Sequence, residues 1–200
     1  PSESPWSNPL VPVKKRDGTV RWTVDFRRLN SHIIKDSYPL PRIDVLINRC
    51  AGAQVYSSLD ASQAYFTIPL SESSRPFTAF QTSTGLWEFL KLPFGVSTAV
   101  SIYSRFIAMV LNPLGSRNIN FYLDDILIFS HDLESHLARL EEVLAAHARA
   151  GIKLKAAKCQ LFVQKVTYLG HELSPEGVGM VEEYVQRVLW NGQSPNLQRN

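Results

Sequence analysis

Hydrophobic and polar positions along this chain fall into short strand-like runs, interrupted by two stretches of helical period. Residues 118–130 read Asn-Ile-Asn-Phe-Tyr-Leu-Asp-Asp-Ile-Leu-Ile-Phe-Ser, two apolar, aromatic-rich runs flanking the bare pair Asp124-Asp125. Strand composition around a turn residue predicts a tight β-hairpin with both acids at its bend. Upstream, residues 9–13 and 19–26 are strand-like, and Asp17-Gly18 between them is a hairpin signal. Val55 to Leu59 predicts a strand running into Asp60. Residues 66–70 also read as a strand, with Pro69 marking an edge or bend. Runs 77–82 and 86–92 predict a hairpin around Gly85.

The helical period appears first in residues 97–111, where Ile102, Phe106, Met109 and Val110 share one face. It is clearest in residues 132–150. Leu133, Leu137, Leu140 and Leu144 recur at steps of four, three and four, with Asp132 suited to the N-cap and Gly151 to C′. A short helix is expected at 43–50, strands with breaks over 152–180, and the start of a helix at 184–190. Strand, helix, hairpin, helix, strand is the order of a split βαβ unit. The fold class is therefore α+β, with a ferredoxin-like antiparallel sheet and helices on one face. In such a sheet the first strand and the hairpin can be neighbours, so that Asp60 and Asp124 meet.

Composition narrows this little. Hydrophobic residues make up 44% and charged residues 20% of 200 residues, which is ordinary globular usage. Cys50 and Cys159 are too few and too far apart for a disulfide framework or a zinc site, and predict reduced thiols in an intracellular, non-secreted protein. No apolar run approaches a membrane span, so no membrane partner is expected. A formal charge of +3 permits a polyanionic partner without demanding one. The chain opens at Pro1 and ends in a polar stretch, as a piece cut from a longer protein would.

The acids change the picture most. Adjacent carboxylates between buried strands repel each other and resist desolvation, so a cation is expected beside them. Asp60, Asp124 and Asp125 converging without a nearby His or Cys favour a hard, oxygen-seeking ion. Mg²⁺ suits this set, in two copies for an in-line phosphoryl displacement, with Mn²⁺ as a substitute. His32, His131, His136, His147 and His171 are scattered and read as surface or structural residues.

Five blocks carry a resemblance to a family. Tyr122-Leu123-Asp124-Asp125 resembles the signature hairpin of reverse transcriptases, and Leu59-Asp60-Ala61-Ser62-Gln63-Ala64-Tyr65-Phe66 the preceding catalytic-aspartate motif. Leu92-Pro93-Phe94-Gly95, Val24-Asp25-Phe26-Arg27-Arg28-Leu29-Asn30 and Tyr168-Leu169-Gly170-His171 resemble the nucleotide-contacting, fingers and primer-grip motifs. They follow the family's order and cover nearly the whole chain. Phe94, where retroviral enzymes commonly carry Gln, makes the chain look closest to gypsy-type LTR retrotransposons.

The resemblance implies right-hand polymerase fingers at 1–34 and 68–97, and palm at 35–67 and 98–175. Residues 176–200 would be the palm's end and the start of a truncated thumb. It implies an RNA- and DNA-directed DNA polymerase, acting in a cytoplasmic particle, whose partners are a primed template and dNTPs. Connection and RNase H regions would lie elsewhere in a parent polyprotein. Asp60, Asp124 and Asp125 match the metal-binding triad, helped by the Ala61 carbonyl. Lys15 (with Lys14 beside it), Arg21, Gln63, Ala64, Phe94 and Gly95 match nucleotide-binding positions. Tyr65 matches the steric gate that excludes a ribose 2′-hydroxyl. Lys158 matches the lysine that protonates pyrophosphate, and Tyr168, Leu169, Gly170 and His171 match the primer grip. The pattern departs from the family after Gly95, where Thr98-Ala99-Val100 stands in place of Asn-Ala-Pro. An RNA-dependent RNA polymerase shares the acids but not Tyr65 or the fingers motifs. A non-catalytic nucleic-acid-binding scaffold would not need the acids intact.

Overall fold

The computed structural model of the protein describes residues 1–15 and 17–181. In chain order its elements are β1 (Leu10–Lys14), β2 (Val20–Val24), the single turn α1 (Arg27–Asn30), α2 (Ile43–Cys50), β3 (Val55–Asp60), β4 (Phe80–Thr82), β5 (Gly85–Trp87) and α3 (Ala99–Leu111). Then follow β6 (Ile119–Tyr122), β7 (Asp125–Ser130), α4 (Leu133–Arg149), β8 (Gln160–Val163), β9 (Val166–Tyr168), β10 (His171–Ser174) and β11 (Gly177–Met180). Short 3₁₀ turns occupy Ala64–Thr67, Arg75–Thr78, Asn112–Leu114 and Ala156–Lys158. The helix expected at 184–190, and with it the expected start of a thumb, lies outside the described residues. Among the described residues no helix is long and apolar enough to cross a membrane.

Two compact units share the chain. The first gathers Pro1–Pro39, Ser62–Val110 and Ala150–Lys153. Its β1 and β2 form an antiparallel hairpin in which Lys14 faces Val20 and Val13 faces Arg21. Gly18 takes φ 81 at the tip, as an Asp-Gly turn requires. Val24, Phe26 and Leu29 form the core beneath it, packed by Leu10, Ile33, Phe80, Phe89 and Val96. The strand expected at 66–70 is a 3₁₀ turn followed by extended backbone. That backbone pairs through Leu70 N–H to Leu90 O and Leu92 N–H to Ile68 O, both 2.9 Å, so Pro69 shortens a strand into a bridge.

Helix α3 is rotated from its expected face. Met109 is 65% exposed, whereas Ala99, Tyr103 and Ile107 are buried. An apolar sequence on nearly every side cannot choose a face by period alone. Polar anchors choose it here. Ser101 Oγ donates to Asp36 O at 2.9 Å, Arg105 pairs with Asp36 at 3.0 Å, and Tyr103 meets the Tyr65 ring edge-on. These contacts keep residues 62–67 and α3 as far as Val110 with the first unit.

The second unit holds Leu40–Ala61, Leu111–Arg149 and the chain from Leu154. Its sheet runs β6-β7-β3-β8, antiparallel throughout. Numbering β3, β6, β7 and β8 from one to four, this is the 4-1-3-2 strand order of a split βαβ unit. Because opposite residues of an antiparallel pair share a face, Tyr56 with Phe129 and Ser58 with Leu127 line the same side as Asp60 with Asp125. On that side Leu46, Ile47 and Cys50 of α2 pack with Tyr56, Leu127, Phe129, Val166, Tyr168 and Leu173. The other side carries α4.

The leucine stripe of α4 picks the wrong face. Leu133, Leu137 and Leu144 are exposed, while His136, Leu140, Val143 and His147 are buried. Hydroxyls on the sheet explain the choice. His136 Nε2 lies 2.7 Å from Ser57 Oγ of β3, and its Nδ1 lies 3.3 Å from Ser130 Oγ of β7. A buried hydroxyl needs a partner, and the imidazole supplies one to each strand.

Candidate active site

Strand β3 sits between β7 and β8, and its register with β7 ends with Leu59 opposite Ile126 and Asp60 opposite Asp125. The sequence expected Asp60 to meet Asp124. The ladder sets it opposite Asp125, because Tyr122 pairs with Asp125 across the hairpin and leaves Leu123 and Asp124 as the two turn residues. The bend therefore carries one acid, and the first position of β7 carries the other. Leu123 adopts φ 55 while Asp124 does not enter positive φ, the pattern of a type II′ turn. Leucine in that conformation costs about 1–3 kcal/mol. The surrounding ladder holds it there, and composition gave no sign of it.

A cation stands at this edge. Lys158 Nζ donates to Asp60 Oδ2 at 3.2 Å, with the lysine side chain 57% and the aspartate side chain 33% exposed. Its 3₁₀ turn is fastened to β3 on both sides. Lys155 N–H donates to Asp60 O at 2.9 Å, Ala61 bridges Leu154, and Gln160 pairs with Ser58. The Asp125 carboxyl is held above the usual carboxylate range, first by partial desolvation, then by the Asp124 and Asp60 carboxylates, against an opposing pull from Lys158. The donors are all hard oxygens, and a cation already rests on one of them, so their chemistry fits a divalent ion. Among the described residues, however, no group of three His, Cys, Asp or Glu is arranged to hold a metal. The expected convergence of three carboxylates is thus incomplete: two acids face each other on the ladder, Asp124 lies off it in the turn, and Lys158 occupies Asp60.

The first unit brings a second set of expected residues together. The Arg21 guanidinium lies over the Phe94 ring, 5.6 Å from its centroid. Tyr65 packs edge-on against Phe94 at 4.8 Å and against Tyr103 at 5.3 Å. Phe94 therefore touches both the expected phosphate-binding cation and the expected gate. Ala64 is buried and Gln63 exposed, with Gln63 in a left-handed conformation at φ 52. Lys15 lies in the β1–β2 turn, its N–H donating to Thr19 O at 2.8 Å.

Gly95 has φ 94, and a Cβ there would lie 3.5 Å from the Phe26 ring. Asn30, whose role the sequence did not reveal, clamps this turn. Its Nδ2 donates to Gly95 O, and Ser97 N–H donates to its Oδ1, both at 2.8 Å. An amide side chain offers a donor and an acceptor on separate atoms, and Asn at the close of the fingers motif was the available clue.

The expected primer-grip residues form the β9–β10 turn, with Tyr168 opposite His171 and left-handed Leu169 (φ 48) and Gly170 (φ 80) between them. Tyr168 is not available to a primer, because it is 3% exposed and part of the core. Burial pushes its hydroxyl far above the usual tyrosine range. The tip itself presents Leu169, Gly170 and half-buried His171, whose Nδ1 lies 3.1 Å from Leu169 O.

Residues 13–173 match the family described as reverse transcriptase (RNA-dependent DNA polymerase). The retrovirus-related Pol polyprotein from transposon 297 of Drosophila melanogaster is 34% identical over 88% of this chain. The transposon Tf2-3 polyprotein of Schizosaccharomyces pombe is 31% identical over 94%. The chain spans 17% and 14% of these two relatives. Among solved structures, a foamy viral protease-reverse transcriptase in complex with double-stranded DNA has a TM-score of 0.85 at 23% identity, covering 94% of this chain and 33% of that one. Another, in complex with an RNA/DNA hybrid, has a TM-score of 0.84 at 24% identity, with coverages of 97% and 26%. These structural likenesses establish the fold.

Proposed function

The chain belongs to the reverse transcriptase family, and from that premise we propose that it is the fingers and palm of a polymerase that extends a primer with deoxynucleotides on an RNA or DNA template. The observation that carries the proposal is the carboxylate edge of the second unit. Asp60 and Asp125 face each other in register, Asp124 turns the hairpin beside them, and Lys158 supplies a cation. Family membership supports reading that edge as a catalytic centre rather than a solvated turn.

In this centre Asp60, Asp124, Asp125 and the Ala61 carbonyl would hold two Mg²⁺ ions, for which Mn²⁺ can substitute. When bound, the ions neutralise phosphate charge and favour the ionised form of the attacking hydroxyl. The rest is positioning. The primer 3′-hydroxyl loses its proton to solvent, its oxygen bonds to the α-phosphorus as the bond to the bridging oxygen breaks, and pyrophosphate leaves with a proton supplied by Lys158. Arg21, placed over the Phe94 ring, presents its planar donors to the triphosphate, with Lys15 as a second cation. The exposed Gln63, the Ala64 backbone and the Gly95 turn complete the nucleotide contacts. Tyr65, braced by Phe94 and Tyr103, occupies fixed space and excludes a 2′-hydroxyl. The Leu169-Gly170-His171 tip meets the primer backbone.

Thumb, connection and RNase H regions belong to the parent polyprotein under this proposal, and the setting is an intracellular particle. Primer extension by the protein together with its following polymerase region tests it. Mg²⁺-dependent incorporation of dNTPs on both RNA and DNA templates is expected, and a preference for rNTPs would assign an RNA polymerase instead.

A further inference from the structure

Lys158 is built into the acidic edge rather than merely near it. Hydrogen bonding to β3 fastens the segment before it at Lys155 and the segment after it at Gln160. The intervening 3₁₀ turn, Ala156–Lys158, is closed by Lys158 N–H to Lys155 O at 2.8 Å. This scaffold delivers the ammonium to one oxygen, Asp60 Oδ2, at 3.2 Å. Both side chains remain partly exposed, so ions from solvent can reach the same oxygen.

A divalent ion on that oxygen would bind at about 2.0–2.1 Å and carry two charges. An ammonium held at 3.2 Å from the same atom would then face it at close range with like sign. The two cations cannot share Asp60 Oδ2 without strong repulsion. We infer that Lys158 is a resident counter-ion of Asp60, which a divalent ion must displace to load the site. Before loading, the lysine lessens the repulsion between Asp60 and its cross-strand neighbour Asp125. On loading, its ammonium leaves the carboxylate and becomes free for other anionic partners. One residue thus couples filling of the metal site to release of a mobile cation. This inference rests on the functional assignment above, because it takes Asp60 as a metal ligand.

Mn²⁺ binding without nucleotide, read from the electron paramagnetic resonance signal of the free ion, tests it on the chain itself. Lys158→Met should bind Mn²⁺ roughly three- to tenfold more tightly than the unsubstituted protein, since an opposing, partly screened charge is removed. Lys158→Gln should behave likewise, and Lys158→Arg should stay within about twofold. Asp60→Asn should weaken binding in both the native and Lys158→Met backgrounds.

Equal or weaker binding by Lys158→Met and Lys158→Gln, with the Asp60 dependence intact, overturns the counter-ion role alone. Binding indifferent to Asp60→Asn overturns the metal assignment beneath it. A readout that needs no substitution is the acylation rate of Lys158 by an amine reagent, followed by peptide mass spectrometry. Mg²⁺ should raise that rate severalfold, and an unchanged or lower rate contradicts displacement.

Discussion

At the scale of single residues, the acids are set against one another. The Asp125 carboxyl titrates above its ordinary value of 3.8, so the fold resists ionising it. This loss of stability begins as pH rises through the ordinary value and is complete above the raised one. Asp125→Asn should therefore raise the Tm at neutral pH by roughly 1–3 °C, a figure reduced for solvent screening, and the gain should shrink toward acid. A scanning-calorimetry series over pH checks this, and a lower Tm at neutral pH would contradict the electrostatic account. Tyr65 offers a second residue-scale prediction. Tyr65→Val should relax sugar discrimination, so that ribonucleotides enter more readily in competition assays; unchanged discrimination would remove Tyr65 from the gate. The identities of these residues were legible in sequence, but the partner of Asp60 was not. Turn register decides whether Asp124 or Asp125 faces it, and that register depends on a left-handed leucine that no propensity favours.

At the scale of elements, α4 shows why period alone can mislead. Its regular leucines lie outward and its two histidines inward, because Ser57 and Ser130 require polar partners on the sheet. Burial depresses both imidazoles below 6.5, with the Val143 carbonyl partly opposing it at His147. The folded state resists their protonation, so stability should fall as pH drops through 6.5 toward the depressed folded values. His147→Leu should flatten this dependence in melts followed by circular dichroism between about pH 7 and 5; an unchanged slope would place the acid sensitivity elsewhere. The Pro93–Ser97 turn makes a prediction from backbone geometry. Gly95→Ala places a side chain at φ 94 beside Phe26 and strains the turn that Asn30 clamps. A loss of about 1–2 kcal/mol in denaturant unfolding is expected.

At the scale of the whole molecule, the order of elements was readable because hairpins and amphipathic helices leave local signals. The split βαβ sheet followed from that order, and the 4-1-3-2 strand arrangement agrees with it. The compact units were not readable in the same way. Residues 62–67 and α3 join the first unit through Tyr65–Tyr103 and the Asp36 anchors, contacts between distant positions that have no local signature. The candidate chemistry likewise combines Asp60 with residues of the hairpin and the 3₁₀ turn, and only the ladder shows which of them meet. The central claim is that this carboxylate edge catalyses template-directed DNA synthesis. Single-turnover primer extension by the complete polymerase, comparing Asp60→Asn with the native protein at saturating dNTP and Mg²⁺, tests it most directly. The account predicts a rate lower by roughly a thousandfold or more, and a variant rate within about tenfold of native would contradict it.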